Sequence, residues 1–215
     1  MKRTLPLAGL FLAALASPAS GQTGENTWGA MPPLPGTVYN SIPNGSSLVA
    51  SDEDTLYMAA SNTRKLHKYR ISTGLWTDWN LMPELPGEID TKSAMTHRPG
   101  TPFLYLSVMG VYPMRKLIEY DTRDESFTST DYPNSYPTLP VMAATAHKVY
   151  TIIGGLWEYQ CSSSSWKNTS ATDSPNFSKG ATLAYPGSGN FLYATVVSPT
   201  NFYRYAIADA PDAFA

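Results

Sequence analysis

KLHKYRISTGLW, at residues 65–76, is the first copy of a phrase that this 215-residue chain repeats. Residues 116–127 read KLIEYDTRDESF, and residues 155–166 read GLWEYQCSSSSW. Each copy has an apolar residue three positions before a tyrosine and an aromatic residue seven positions after it, in the pairs Tyr69 and Trp76, Tyr120 and Phe127, and Tyr159 and Trp166. Residues 201–214, NFYRYAIADAPDAF, form a fourth and longer copy around Tyr205. The chain is therefore built from repeated units.

A second shared element, an apolar residue followed by tyrosine, precedes each phrase. The four pairs are Leu56-Tyr57, Leu104-Tyr105, Val149-Tyr150 and Leu192-Tyr193, and their tyrosines are 48, 45 and 43 residues apart. A short apolar segment lies before each pair, and proline-rich segments such as WNLMPELPG (79–87) follow the first three phrases. Each unit thus predicts four short strands joined by turns. Four-stranded units of about 40–50 residues are typical of β-propeller blades, which bury their faces by stacking around an axis.

The third unit resembles the kelch repeat family. Its segment VYTIIGG (149–155) ends in paired glycines, and Tyr159 and Trp166 follow at that family's usual spacing. The other units depart from the pattern, since their corresponding segments read YMAAS, YLSVM and YATVV. The resemblance implies an all-β propeller of four kelch-like, four-stranded blades, fewer than rings of this family usually contain.

The segment NTWGAMPPLPG (26–36) is similar to the fourth strand and exit of a unit, whereas the last unit (178–215) stops where its own fourth strand should begin. We expect this N-terminal strand to close the last blade, because the closure would remove an exposed sheet edge. The prediction is a single propeller domain over residues 22–215. It would be a monomer that closes as four blades, a homodimer that forms a ring of eight blades, or a shortened relative of a longer protein.

Residues 1–21 have a basic start, an apolar run and a small-residue cleavage site, the layout of a secretory signal peptide. We therefore expect a secreted, extracellular protein. Charged residues make up 15% of the chain and the net charge is −2, so nothing in the composition favours binding to nucleic acid or to a membrane. The single cysteine, Cys161, is predicted to be a small buried apolar residue. Asn-X-Ser triplets predict glycosylation at Asn44, Asn168 and Asn176.

The loops that join the second and third strands, and those that join successive units, form the predicted ligand-binding face. Arg64 and Arg115 end equivalent loops of neighbouring units, where two guanidinium groups could bind the carboxylate or sulfate of an acidic sugar. The alternative interpretation is that both arginines are ordinary solvated charges at the starts of strands. Tyr112 is the candidate for an exposed ring that stacks on sugars. Glu88 and Asp90 are the candidate carboxylates of the ligand-binding face, and they are also the acids that a glycoside hydrolase would need there. We expect a non-catalytic recognition module that binds a glycan or a partner protein.

The alternative function is an extracellular or secretory-pathway enzyme, either a carbohydrate-active lyase or hydrolase or a biosynthetic propeller enzyme, with its site at the propeller mouth. Kelch-like propellers include the copper-dependent galactose oxidase family, whose metal site needs two histidines, tyrosines and a cysteine linked to a tyrosine. Here His97 and His147 fall at the opposite end of the predicted blades and His67 falls on a strand. We therefore expect no catalytic residues, metal or cofactor. The acidic run at 52–54 predicts a hydrated turn rather than a calcium site.

Overall fold

The computed structural model describes residue 32 and residues 46–89, 93–109, 115–133, 140–169, 177, 181–196 and 201–207. The chain divides into two compact units, Met1–Pro33 and Leu34–Ala215, and every described residue except Pro32 belongs to the second unit. The expected signal peptide and the expected closing strand lie outside the described residues, apart from Pro32. A short 3-10 helix spans Trp79–Leu81. In the part of the chain that is described, no helix has the length and apolar character needed to cross a membrane.

The strands of the described residues form four antiparallel sheets. Sheet 1 consists of β1 (Ser47–Ala50), β2 (Thr55–Ala59), β3 (Leu66–Arg70) and β4 (Leu75–Trp76). Sheet 2 consists of β5 (Met95–His97), β6 (Phe103–Met109), β7 (Arg115–Asp121) and β8 (Phe127–Asp131). Sheet 3 consists of β9 (Val141–Ala144), β10 (Lys148–Ile152), β11 (Leu156–Gln160) and β12 (Ser165–Asn168). Sheet 4 consists of β13 (Thr182–Ala184), β14 (Phe191–Val196) and β15 (Asn201–Ala206). Neighbouring strands follow one another along the chain, and the prediction of an all-β fold is confirmed.

The tyrosine repeat of the sequence is a repeat of strand register. In all four sheets the apolar residue of the second strand lies opposite the tyrosine of the third strand, in the pairs Leu56–Tyr69, Leu104–Tyr120, Val149–Tyr159 and Leu192–Tyr205. The aromatic residue seven positions later returns to the same tyrosine in sheets 1 to 3, in the pairs Tyr69–Trp76, Tyr120–Phe127 and Tyr159–Trp166. The spacing of seven in the sequence is therefore the length of the hairpin that joins the third and fourth strands.

Sheets 1 and 2, and sheets 2 and 3, pack against each other through these tyrosines. Tyr57 of sheet 1 meets Tyr120 of sheet 2 edge to face, with ring centroids 5.9 Å apart. Tyr105 of sheet 2 meets Tyr159 of sheet 3 in the same way at 6.1 Å. The first strands contact one another in the order β1, β5, β9, β13. Aromatic pairs in this geometry contribute about 0.5–1.5 kcal/mol beyond the burial of their area, so they favour one mode of stacking.

Each middle sheet contributes to two apolar cores, because neighbouring residues of a strand point to opposite faces. Leu104 and Leu106 of β6 face sheet 1, whereas Tyr105 between them faces sheet 3, and all three are fully buried. A third core joins sheets 3 and 4 through residues such as Tyr150 and Leu192. Cys161, which the sequence predicts to be buried, is half-buried and packs against the core between sheets 2 and 3.

The turns between third and fourth strands share a left-handed backbone conformation. Gly74, Glu125 and Ser164 each lie five positions after a third-strand tyrosine, and their φ angles are 68°, 60° and 51°. Glycine adopts this region readily, whereas residues with a Cβ lose about 1–2 kcal/mol there. Sheet 1 therefore has the residue that suits the turn, and sheets 2 and 3 form the same turn at a cost in conformational energy.

We expect Gly74→Ala to lower the free energy of unfolding by about 1 kcal/mol, because a Cβ is strained at this φ. The strain is one of backbone conformation, since the nearest atom to such a Cβ is the Tyr69 hydroxyl at 3.8 Å. The reverse change at the equivalent turn, Ser164→Gly, is expected to leave stability unchanged or to raise it. Urea denaturation of both variants measures the effect, and stabilisation by Gly74→Ala would contradict it.

His67 lies on the outer face of sheet 1, the face turned away from sheet 2. It pairs with Met58 across β2 and β3 and is 2% exposed. Burial lowers the pKa of its imidazole, because the charged form loses hydration. The unfolded chain then binds a proton at a higher pH than the folded chain does. The free energy of unfolding therefore falls as the pH decreases below about 6.5, the ordinary pKa of histidine.

We expect His67→Ile to reduce the loss of stability between about pH 7.5 and about pH 5.5, because the variant has no imidazole to protonate on unfolding. Isoleucine is the matched choice, since Ile118 occupies the equivalent position of sheet 2. Met58→Leu is the control, because it alters packing beside the histidine and should keep the full pH dependence. Urea denaturation at both pH values tests this expectation, and an unchanged pH dependence in His67→Ile would show that the histidine does not cause it.

Candidate functional site

A cavity of about 260 Å³ lies where the first strands of the four sheets come together. Its lining includes Val49 from β1, Thr96 and His97 from β5, Met142 from β9 and Leu183 from β13. Every sheet thus contributes its first strand to one concave surface. This convergence makes the cavity the candidate functional site, since ligand sites are usually concave and combine apolar walls with a few polar groups.

The polar groups of the cavity lie where the first strands end. Thr96 and His97 are the last residues of β5, and Tyr185 follows β13 directly. The His97 Nε2 lies 2.7 Å from the carbonyl oxygen of Thr101 and donates to it, because a carbonyl oxygen can only accept. The Tyr185 hydroxyl donates to the carbonyl oxygen of Gly189 at 3.2 Å. These bonds fix the orientation of both rings beside an apolar wall.

The cavity lies at the opposite end of the sheets from the predicted ligand-binding face. The predicted loops join second to third strands and one sheet to the next, whereas His97, Tyr185 and Gly187 adjoin the turns between first and second strands. His97 is thus a cavity residue that sequence reasoning placed away from the site. The sequence indicates only that His97 lies at the end of a first strand. It does not show that the first strands of four units, which are far apart in the chain, converge on one cavity.

The Arg64 side chain binds the connection between β4 and β5. Its Nε and Nη2 donate to the Leu85 carbonyl oxygen at 3.2 and 2.9 Å. The Leu85 N–H donates in turn to the Arg64 carbonyl oxygen at 2.7 Å. Leu85 is fully buried in the core between sheets 1 and 2, while Arg64 itself remains exposed. The guanidinium therefore fixes a core connection, and ligand binding by Arg64 remains a prediction.

Arg115 begins β7 in a more enclosed place. It lies opposite Met109 and is 6% exposed. Its carbonyl oxygen accepts a hydrogen bond of 3.1 Å from the N–H of Tyr132. Burial raises the pKa of the Tyr132 hydroxyl, and the positive charge of Arg115 opposes that shift. The two arginines thus differ in environment, one exposed and one buried, and joint binding of an acidic sugar remains a prediction.

Two of the remaining predicted residues lie on the described surface. Glu88 is exposed beside the fully buried Ile89, and Asn168 is exposed at the end of β12. Exposure is compatible with the predicted roles in ligand binding and glycosylation, which stay predictions. The other candidates lie outside the described residues: Tyr112, Asp90, Asn44 and Asn176.

The acidic run at 52–54 forms the turn between β1 and β2. The Asp54 N–H donates to Asp52 Oδ1 at 2.8 Å, and Asp54 accepts bonds from the N–H and hydroxyl of Ser72 at 2.6 and 3.0 Å. The bonds from Ser72 lower the pKa of the Asp54 carboxyl. Asp54 therefore ties this turn to the turn after β3. In the described parts of the chain, no three or more His, Cys, Asp and Glu side chains group closely enough to hold a metal ion.

The sequence analysis missed one repeated signal, a charged residue directly before each third-strand tyrosine. These residues lie opposite the second-strand tyrosines, in the pairs Tyr57–Lys68, Tyr105–Glu119, Tyr150–Glu158 and Tyr193–Arg204. Lys68 Nζ lies 2.9 Å from Glu125 Oε1 of sheet 2, and Glu119 accepts a hydrogen bond from the Tyr105 hydroxyl. Arg204 differs, since it is exposed.

No protein-family model and no curated protein matches this sequence. Similar solved structures include the extracellular domain of a hybrid two-component system from B. thetaiotaomicron, with 16% identity and a TM-score of 0.42 over 75% of this chain and 22% of that one. TolB from Acinetobacter baumannii has 9% identity and a TM-score of 0.45 over 77% of this chain and 45% of that one. The chain spans less than half the length of either structure, and likenesses of this extent establish neither family nor activity.

We expect Arg64→Ala to lower the free energy of unfolding by about 1 kcal/mol, because the buried Leu85 carbonyl loses a charged donor. Arg70→Ala is the matched control. Its guanidinium pairs with Asp54 at 3.5 Å on the exposed surface, where such pairs contribute about 0–1 kcal/mol. Thermal denaturation of both variants measures the difference. A stability of Arg64→Ala equal to that of the original chain would show that the side chain is not needed by the fold.

Proposed function

We propose that the four sheets are blades of a kelch-like β-propeller, and that the chain is a secreted, non-catalytic recognition module whose ligand is a glycan. The observation that best supports this proposal is the cavity lined by the first strands of all four sheets. In a propeller the first strands surround the axis, and a central cavity lined by every blade is the natural place for a ligand. The layout of residues 1–21 supports secretion.

Sheet 4 has three described strands, whereas sheets 1 to 3 have four. We propose that the segment 26–36 supplies the fourth strand beside β15. Trp28 of that segment would then take the place that Trp76 and Trp166 have in sheets 1 and 3, opposite Tyr205. Pairing of this kind would remove an exposed edge.

The size and lining of the cavity favour a single sugar ring. Its volume of about 260 Å³ lies just below the range of about 300–1,000 Å³ in which drug-sized ligands bind. Val49 and Leu183 supply apolar surface for the C–H face of a sugar, while Thr96 and His97 supply polar groups for its hydroxyls. Such a lining favours a neutral sugar, because a charged one would lose hydration without gaining an opposite charge.

We expect the purified chain to bind immobilised neutral glycans, and Ala184→Leu to weaken binding at least about ten-fold. Ala184 lines the cavity and is exposed, so a larger side chain would occupy ligand space with little effect on the core. The matched control is Ala50→Leu, an exposed alanine at the end of β1 that does not line the cavity. A glycan array followed by calorimetry with the best ligand makes the measurement.

The same binding assay distinguishes a ligand site in the cavity from a ligand site on the loop face at the other end of the sheets. Loss of binding in Arg64→Ala, with Ala184→Leu unaffected, would move the site to the loop face and favour an acidic sugar. Failure to bind any neutral or acidic glycan on the array would contradict the proposed function. Thermal denaturation of each variant keeps a folding defect apart from a binding defect.

A further inference from the structure

The imidazole of His97 has a fixed direction of hydrogen bonding at the cavity wall. Its Nε2 lies 2.7 Å from the Thr101 carbonyl oxygen, which can only accept, so Nε2 carries the hydrogen of the neutral ring. The turn between β5 and β6 holds that oxygen in place. Gly100 has a φ of 73°, and the hydroxyl and N–H of Thr101 donate to the Arg98 carbonyl oxygen at 2.9 and 3.3 Å. A short turn therefore determines the tautomer of the histidine.

The second nitrogen of the ring, Nδ1, is then a hydrogen-bond acceptor. A neutral imidazole with its hydrogen on Nε2 has a lone pair and no hydrogen on Nδ1. Among the described residues, the Thr101 carbonyl is the hydrogen-bond partner of the His97 ring, and it is used by Nε2. His97 is half-buried where it lines the cavity, so a ligand there can reach the ring.

The Tyr185 hydroxyl has the same polarity towards a ligand. It donates its hydrogen to the Gly189 carbonyl oxygen at 3.2 Å, so its oxygen has lone pairs to offer to a further partner. The third polar side chain of the lining, Thr96, can either donate or accept. Lys, Arg, Asp and Glu are absent from the described residues that line the cavity. The side chains of fixed polarity in this lining are therefore acceptors.

We infer that His97 determines the specificity of the cavity by accepting, at Nδ1, a hydrogen bond from a hydroxyl group of the ligand. The inference rests on the proposed function and narrows it, because the sugar must present a hydroxyl at this position. A carboxylate or sulfate presents acceptor oxygens, whose lone pairs would face that of Nδ1. A sugar without the hydroxyl would remove water from Nδ1 and leave it without a partner, which weakens binding.

Nitrogen NMR of the isotope-labelled chain tests the tautomer without any ligand. The chain has three histidines, His67, His97 and His147, and the His97 signals are those that disappear in His97→Gln. At about pH 8.5, where histidine side chains are ordinarily neutral, we expect long-range proton–nitrogen correlations to show the Nε2–H form of His97. The Nδ1–H form would overturn the inference.

Titration with the methyl glycosides of glucose, galactose and mannose tests binding at Nδ1. A glycoside that binds is expected to shift the Nδ1 resonance of His97, and His97→Gln is expected to bind it at least about ten-fold more weakly. Glutamine is the matched substitution, because its amide nitrogen can still donate to the Thr101 carbonyl while no acceptor replaces Nδ1. His147→Gln is the control, since His147 is half-buried in the turn between β9 and β10 and is not part of the described lining.

Monodeoxy analogues of the glycoside that binds identify the hydroxyl that His97 accepts. One analogue is expected to bind the original chain at least about ten-fold more weakly than the parent glycoside does. The same analogue is expected to bind His97→Gln as well as the parent glycoside does, because the variant has no acceptor left to satisfy. Thermal denaturation identifies a variant that does not fold, and the shift of Nδ1 in the original chain needs no variant.

The outcomes separate this inference from the proposed function. Equal affinity of the parent glycoside for the original chain and His97→Gln, or an equal loss in both proteins for every deoxy analogue, would overturn the role of His97 and leave sugar binding intact. Failure of these glycosides and of every glycan on the array to bind would overturn the proposed function and the role of His97 with it.

Discussion

The edge-to-face contact between a second-strand tyrosine and the third-strand tyrosine of the next sheet is the interaction on which the stacking of sheets 1 to 3 depends. Tyr57 meets Tyr120 and Tyr105 meets Tyr159 at nearly the same distance. A sheet of short strands has too little area to form a core alone, so each sheet depends on its neighbours for burial. Burial raises the pKa of the hydroxyls of Tyr105 and Tyr120, which keeps these groups neutral within the stack.

Charges placed beside these tyrosines add specificity to the stacking. Lys68 of sheet 1 reaches Glu125 of sheet 2, and this ion pair joins the two sheets directly. Lys148 and Glu158 pair at 3.1 Å where neither side chain is more than 7% exposed. A buried pair of this kind contributes little net stability, because desolvation offsets the attraction, but either charge alone would be costly. The Lys68–Glu125 pair thus restricts which faces can meet, whereas the Lys148–Glu158 pair lies within sheet 3.

Stacking also creates the cavity on which function is proposed. Convergence of the first strands forms the cavity, whose walls belong to rigid strands rather than to long loops. Arg204 of sheet 4 has the register position that Lys68, Glu119 and Glu158 have in sheets 1 to 3, and it is exposed.

The sequence by itself determined the four units, their strands and their register. Leu56, Tyr69 and Trp76 recur at fixed spacings because a hairpin of constant length brings the same positions together, and such local geometry is encoded in neighbouring residues. The burial of large apolar residues also followed from the pattern, except at Phe202, which has the repeat position of Leu66, Leu117 and Leu156 and is 71% exposed. The pattern also predicted that Cys161 would be buried, whereas the structure shows it half-buried.

Only the tertiary structure decided where those positions lie relative to one another. Thr96 and Leu183 are separated by more than eighty residues, and no local signal shows that both line one cavity. Arg64 and Arg115 look alike in the sequence, yet one is exposed and bonded to the Leu85 carbonyl while the other is buried. The physical reason is that strand register depends on local spacing, whereas the surroundings of a side chain depend on which sheets pack against it.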